Sequence, residues 1–400
     1  MRTHTLTLPR DAVLPDYGAH GLLGLTRSLG DWLRGEDALS LPGLPPCKPR
    51  GVVLLVIDGL GDTFLQRLGQ GSQLHAHQLT RLTSVCPSTT ASAVTTLYTG
   101  LAPAEHGLTG WFIQDRRFGG VIAPLPLHRR AGGRLRGPFL GSRLFPYRTL
   151  AQQARRPVSV LTPAELAPTG YTSRHTRGAR VIGYPKLKDL LPAILEEAAR
   201  LDGRGLIHAY YPGFDALSHK LGPYANEVQS LFGRLDELFS ALAASLRRQG
   251  MELLVTADHG FSEAPEERHY RLDARSPAQA MLAAPLFGER RLAFCQVRTG
   301  AEQEFEDFAA SELAGRAVAV RSRRLLAAGL FGPGQRHARL VERVGNYALL
   351  MEAGHTLSDR LPGEDEFRMR GVHGGLSGDE MWIPLIHAGP VEEGAAAAGR

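Results

Sequence analysis

Gly51-Val-Val-Leu-Leu-Val-Ile57-Asp58-Gly59 is the stretch on which the reading of this chain turns. From Val52 to Ile57 the run has no polar face, so it reads as a strand covered on both sides, of the kind found inside a parallel sheet. It ends in a carboxylate followed by glycine. In open α/β sheets ligands collect at the carboxyl ends of the strands. A carboxylate in such a crevice needs a cation or hydrogen-bond donors to stay charged.

Outward from this strand, further strands are predicted at 157–161, 205–211 and 251–257, and a helix over 225–248 places Val228, Leu231, Leu235, Leu238, Phe239, Leu242 and Leu246 on one stripe. Strands alternating with helices predict an α/β fold with a mostly parallel central sheet flanked by helices. The segment from Thr90 to Tyr98 suits a packed helix stopping at Thr99-Gly100, with hydroxyls at its N-terminus, where free N–H groups and the helix dipole favour anions. Residues 1–50, punctuated by Pro and Gly around an amphipathic stretch at 22–33, are expected to form a peripheral segment. After Phe261 the texture changes. Strands are predicted at 291–298, 317–320 and 345–351 and a helix at 301–313, none with a ligand cluster. Residues 263–354 are therefore expected to be a small inserted α+β cap between two parts of the core, 51–262 and 355–392. The Ala-rich end, 394–400, is expected to fray.

The 400 residues, 43% hydrophobic and 22% charged, can bury a large core. The net charge is +6, yet Lys is confined to positions 48, 186, 188 and 220, so the positive charge is nearly all Arg, which a biased genome explains without a polyanionic partner. The densest basic stretch, 128–136, has no interleaved aromatics, and no stable nucleic-acid partner is expected. No apolar run of about 18 residues suggests a membrane span. Cys47, Cys86 and Cys295 are few, odd in number and widely spaced, which predicts a reducing compartment, the cytoplasm by default.

Three more Asp/His clusters follow Asp58: Asp215-Ala-Leu-Ser-His219, Asp258-His259-Gly260 and Val372-His373-Gly374-Gly375. Carboxylates and imidazoles are ligands for zinc and similar ions. Asp215 and His219, four apart, share one side of a helix. Asp258 and His259, adjacent, reach one site only where the strand ends and the backbone bends, which Gly260 permits. Glycines around His373 suit a ligand-bearing loop. Between the first two clusters lies Pro87-Ser88-Thr89-Thr90, a hydroxyl-bearing turn that offers a nucleophile.

Taken in order, these motifs resemble the alkaline phosphatase superfamily, most closely its nucleotide pyrophosphatase/phosphodiesterase branch, over residues 51–262 and 355–390. Members show a strand ending in Asp-Gly, Pro-x-x-Thr with the Thr as nucleophile, Thr-Gly-Leu-x-Pro-x-x-His-Gly, Asp-x-x-x-His, Asp-His-Gly and a late His-Gly. This chain supplies Asp58-Gly59, Pro87-Ser88-Thr89-Thr90, Thr99-Gly-Leu-Ala-Pro-Ala-Glu-His106-Gly107, Asp215/His219, Asp258-His259-Gly260 and His373-Gly374. The resemblance implies an alkaline phosphatase-like fold and two divalent ions, zinc by preference, with manganese or iron admitted by the same donors. It puts Asp58, Asp258, His259 and Thr90 on one ion and Asp215, His219 and His373 on the other. It also implies cleavage of a small-molecule phosphodiester or pyrophosphate by two-metal catalysis through a phosphothreonine on Thr90.

Thr89 and Ser88 compete with Thr90 within one turn. The family motif favours Thr90, leaving the others to cap the helix or touch phosphate. Diesterase members place an Asn shortly after the His-Gly, where this chain has Trp111. Thr109 or a backbone N–H is the expected substitute donor, with Trp111 stacking on a base or closing the pocket. A phosphomonoesterase of the same superfamily is the alternative. An idle metal-binding module would need a missing ligand or nucleophile, and none is missing.

Overall fold

The computed structural model describes residues 6–273, 276–364 and 368–390, so the Ala-rich end at 394–400 lies outside the described residues. The first half of the chain runs Leu22–Arg34 (α1), Gly51–Ile57 (β1), Gln78–Thr83 (β2), Thr90–Thr99 (α2), Val158–Pro163 (β3), Arg180–Tyr184 (β4), Gly205–Tyr211 (β5) and Gly213–Leu221 (α3). Then come Asn226–Arg248 (α4), Glu252–Thr256 (β6), Phe287–Gly288 (β7), Leu292–Cys295 (β8), Glu302–Glu312 (α5), Ala317–Arg321 (β9), Tyr347–Met351 (β10) and Trp382–Ala388 (β11).

β1 is buried along its whole length, as its unbroken apolar run requires. It lies inside a seven-stranded sheet of order β2-β11-β6-β1-β5-β3-β4. β1 pairs in parallel with β5 and β6, and β3 pairs in parallel with β4 and β5. β11 is antiparallel to both β6 and β2. The sheet is thus mostly parallel, as expected. Sequence reasoning had found β1, β3, β5 and β6 but neither edge strand, because β2 and β4 are half exposed and lack a continuous apolar run. β11 was missed because Pro384 argues against a central strand. That proline pairs with Arg81 of β2 but precedes the ladder to β6, which begins only at Leu385.

The stripe read on α4 is buried at all seven positions. Full burial of such a side chain is worth roughly 1.5–3 kcal/mol, so packing rather than intrinsic propensity holds this helix. α1 buries Leu22, Leu25, Leu29, Trp32 and Leu33 in the same core and packs against α2. Among the described residues no helix is long and apolar enough to cross a membrane.

A second, four-stranded sheet of order β7-β8-β10-β9 is antiparallel throughout. α5 closes it, burying Phe305 and Phe308 with Cys295, Tyr347, Leu349 and Met351. This sheet meets the core where Phe112 and Gly288 exchange backbone hydrogen bonds of 3.3 and 2.7 Å. The approach needs glycine on both chains: a Cβ on Gly110 would lie 2.6 Å from Gly288 Cα, and Gly288 itself has φ +91°. The β7–β8 turn, Glu289-Arg290-Arg291, is thereby brought to the carboxyl ends of the core strands.

Candidate active site

Because β1, β5 and β6 are neighbours and parallel, the residues that follow them emerge along one edge of the sheet. Asp58 follows β1 directly, its N–H bonded to the Tyr211 carbonyl at 3.0 Å. Asp215 and His219 lie on α3, one helical turn apart. Asp258 and His259 follow β6. Gly260 there does not adopt the left-handed conformation; it is required because a Cβ would lie 2.1 Å from the Asp379 carbonyl oxygen. His373 is returned to the cluster by a short antiparallel pairing of Ser262–Glu263 with Gly371–Val372.

The side chains converge. His259 Nε2 is 3.3 Å from Asp58 Oδ1, 3.5 Å from Asp258 Oδ2 and 4.0 Å from Asp215 Oδ1. Asp215 Oδ1 is also 3.4 Å from His219 Nε2 and 3.5 Å from His373 Nε2, and those two nitrogens are 3.1 Å apart. Thr90 Oγ1 reaches His259 Nε2 at 3.2 Å. All seven residues expected from the sequence therefore share one site. They fall into two overlapping sets, one around Asp58, Asp258 and His259 and one around Asp215 and His373.

Hydrogen bonds set the direction of each lone pair. A carbonyl oxygen only accepts, so the contacts of His259 Nδ1 with Gly260 O at 3.0 Å and of His219 Nδ1 with Gly371 O at 2.8 Å put the protons on Nδ1 and leave both Nε2 lone pairs facing the cluster. Asp258 Oδ1 accepts the N–H groups of Gly59 and His259, each at 3.1 Å, and the Tyr210 hydroxyl donates to Asp58 Oδ2. The other oxygens, Asp58 Oδ1, Asp258 Oδ2 and Asp215 Oδ1, are buried without a hydrogen-bond partner. Burial, then mutual repulsion among the carboxylates, pushes Asp58 and Asp215 well above the ordinary carboxylate range. Burial holds His373 well below the usual imidazole value and lowers His219 to about 4, keeping both in the neutral, ligating form. Converging lone pairs on buried oxygens and neutral imidazoles fit divalent cations.

Of these residues Thr90, Asp215, His219 and His373 line a cavity of about 810 Å³ that extends beneath the second sheet, with Thr89 on the same side and Phe287, Glu289, Arg290 and Leu357 on another. Thr90 is the first residue of α2, whose N-terminus opens on this space. Thr89 does not cap the helix with its side chain; its hydroxyl donates instead to Glu289 Oε1 at 2.6 Å. The Ser88 hydroxyl donates to the Gly375 carbonyl. Trp111 lines the cavity with 42% of its surface exposed, and its N–H donates to Glu289 Oε1 at 2.6 Å. Thr109 stands apart: it is buried and its hydroxyl donates to the Arg343 carbonyl.

Sequence reasoning did not find Tyr210 or Glu289. Tyr210 looks like any strand aromatic. Glu289 sits in a region without motifs, and burial raises it to about 7 against the opposing pull of the Thr89 and Trp111 donors. The glycines at 288 and 374 were its one signal, since a Cβ on Gly374 would lie 2.5 Å from Glu289 Cγ.

The profile of the type I phosphodiesterase/nucleotide pyrophosphatase family matches residues 52–375. No curated protein matches the sequence. Among solved structures, murine ectonucleotide pyrophosphatase/phosphodiesterase 5 superposes with a TM-score of 0.62 at 17% identity, over 85% of this chain and 88% of that one. Phosphonoacetate hydrolase from Sinorhizobium meliloti superposes with a TM-score of 0.61 at 16% identity, over 89% and 94%. Sheet order, site geometry and a family match spanning most of the sequence agree: the chain belongs to the type I phosphodiesterase/nucleotide pyrophosphatase family of the alkaline phosphatase superfamily and is a hydrolase.

Proposed function

We propose that the protein is a metal-dependent hydrolase of small phosphodiesters or pyrophosphates that works through a covalent phosphothreonine on Thr90. The observation that carries this reading is the meeting of three unpartnered carboxylate oxygens, three imidazole Nε2 atoms and the Thr90 hydroxyl in one cluster at the cavity. Asp58, Asp258, His259 and Thr90 would hold one divalent ion and Asp215, His219 and His373 a second, zinc by preference, and such a pair supplies Lewis-acid stabilisation of charge on the attacking and leaving oxygens.

The chain's own residues do the rest. Thr90 Oγ releases its proton to solvent water and bonds to phosphorus as the bond to the leaving oxygen breaks, so that one proton is lost to solvent and one is returned from it to the leaving group. The departing alkoxide takes a proton from water. A water molecule then attacks phosphorus, the Oγ–P bond breaks, Thr90 regains a proton and the phosphate product leaves. The open N-terminus of α2 aligns N–H groups with the phosphoryl oxygens. Tyr210 and the N–H groups of Gly59 and His259 fix the carboxylates so that no reorganisation is needed at the moment of reaction.

The relatives support this substrate class. The murine phosphodiesterase was solved as an inactive threonine-to-alanine variant with AMP, and the Sinorhizobium enzyme with phosphonoacetate and phosphonoformate. The test is a panel of bis-p-nitrophenyl phosphate, p-nitrophenyl phosphate, p-nitrophenyl thymidine monophosphate, dinucleotide polyphosphates and phosphonoacetate, given to metal-depleted and zinc-restored protein. Zinc-dependent cleavage of the diesters or dinucleotides is expected. Cleavage that survives metal depletion and Thr90→Ala would overturn the reading.

A further inference from the structure

The β7–β8 turn places a carboxylate against Thr89, beside the N-terminus of α2. Glu289 is half-buried in the cavity wall that Thr89 and Thr90 also line, and its Oε1 takes both the Thr89 hydroxyl and the Trp111 backbone N–H at 2.6 Å. Thr89 is next in the chain to Thr90, and both donors belong to residues lining the same cavity as Thr90. The donor Trp111 supplies here is its backbone N–H, already committed to the Glu289 carboxylate. Gly374, at φ +105° and with no side chain, leaves the space that Glu289 fills.

We propose that Glu289 selects the charge of the phosphoryl group, so that the site accepts singly charged centres such as phosphoric diesters and rejects doubly charged phosphate monoesters and unesterified phosphonates. At about pH 8, above the value near 7 to which burial raises Glu289, a monoester carries a charge of about −2. A diester carries one. A fixed carboxylate beside the phosphoryl oxygens repels each added charge, and the repulsion is stronger in a buried site than in water. Arg290, on the same wall, attracts Glu289 and tempers the effect. The inference rests on Thr90 being the nucleophile.

The test uses the full-length, zinc-loaded protein with p-nitrophenyl phosphate and p-nitrophenyl methyl phosphate, which share a leaving group and differ by one charge. Glu289→Gln keeps an oxygen acceptor for both hydrogen bonds and removes the charge. Its kcat/KM for the monoester, relative to the methyl ester, is expected to rise about tenfold. Glu289→Asp, which keeps the charge, is expected to leave the ratio near that of the wild type. Calorimetric binding of inorganic phosphate against dimethyl phosphate at about pH 8 provides a readout without turnover, and Glu289→Gln is expected to tighten phosphate selectively. A ratio unchanged within about twofold in both measurements, or a wild-type protein that prefers the monoester, overturns the proposal. If Glu289→Gln does not fold, the wild-type preference decides by itself. If the wild type cleaves neither ester, the functional reading falls and this inference with it.

Discussion

The molecule buries carboxylates of two kinds. Asp58, Asp215 and Asp258, in the site, each keep one buried oxygen without a hydrogen-bond partner. Glu380 and Asp115, elsewhere in the core, are fully matched. Arg291 reaches Glu380 at 2.7 Å with both side chains inaccessible, and Gly375 N–H and Ser377 complete the set. Arg343 reaches Asp115 at 3.0 Å, with Arg117 on the same carboxylate. Burial alone would raise Asp58, Asp215, Asp115 and Glu380. It prevails at Asp58 and Asp215, whereas the arginine partners hold Asp115 and Glu380 below the usual range. The chain neutralises the second kind by itself and leaves the first kind to something from outside, which is how a ligand site differs from a structural ion pair.

The largest effect that tests this contrast is on turnover. Thr90→Ala is expected to lower kcat by roughly a thousandfold or more while leaving zinc content and thermal stability close to wild type. Loss of bound metal together with activity would make Thr90 a structural ligand only.

Arg291→Met, which strands Glu380 in the core, is expected to cost about 3–5 kcal/mol in denaturant unfolding. Because Glu380 also holds Gly375, this variant should lose zinc affinity through the His373 loop. A cost below about 1 kcal/mol would place the two kinds of carboxylate on the same footing.

Metal removal should show the opposite sign of behaviour at the floor. A carboxylate whose folded value is raised costs nothing below its unfolded value near 3.9, and its cost grows as pH rises through the folded value. Chelated protein is therefore expected to lose stability from about pH 4 toward neutrality, and the gap in Tm between zinc-loaded and chelated protein should widen from pH 5.5 to 7.5. A gap independent of pH would break the comparison. In chelated protein at neutral pH, Asp58→Asn, which keeps an acceptor for Tyr210, is expected to be neutral or stabilising by about 1 kcal/mol.

Trp111→Ala is expected to change least: its exposed ring lines the cavity, so KM for an aromatic diester should rise a few-fold with kcat nearly unchanged. A large fall in kcat would give the Trp111 ring, and not only its backbone N–H, a part in holding Glu289.

The sequence alone determined the parts whose signal is local. The apolar run of β1, the stripe of α4 and the order of Asp-Gly, Pro-x-x-Thr, Asp-x-x-x-His and Asp-His-Gly are readable because solvent, helical period and ligand chemistry constrain residues close together in the chain. The half-exposed edges β2 and β4 and the proline-bearing β11 were not readable, since neighbours distant in sequence make them strands. Tertiary structure alone decided that Thr109 faces away, that Gly260 is needed for the Asp379 carbonyl rather than for a left-handed bend, and that Glu289 lies against Thr89. The reason is physical: a carboxylate in a turn carries no mark of its partner until the close contact of Gly110 with Gly288 carries the second sheet onto the first.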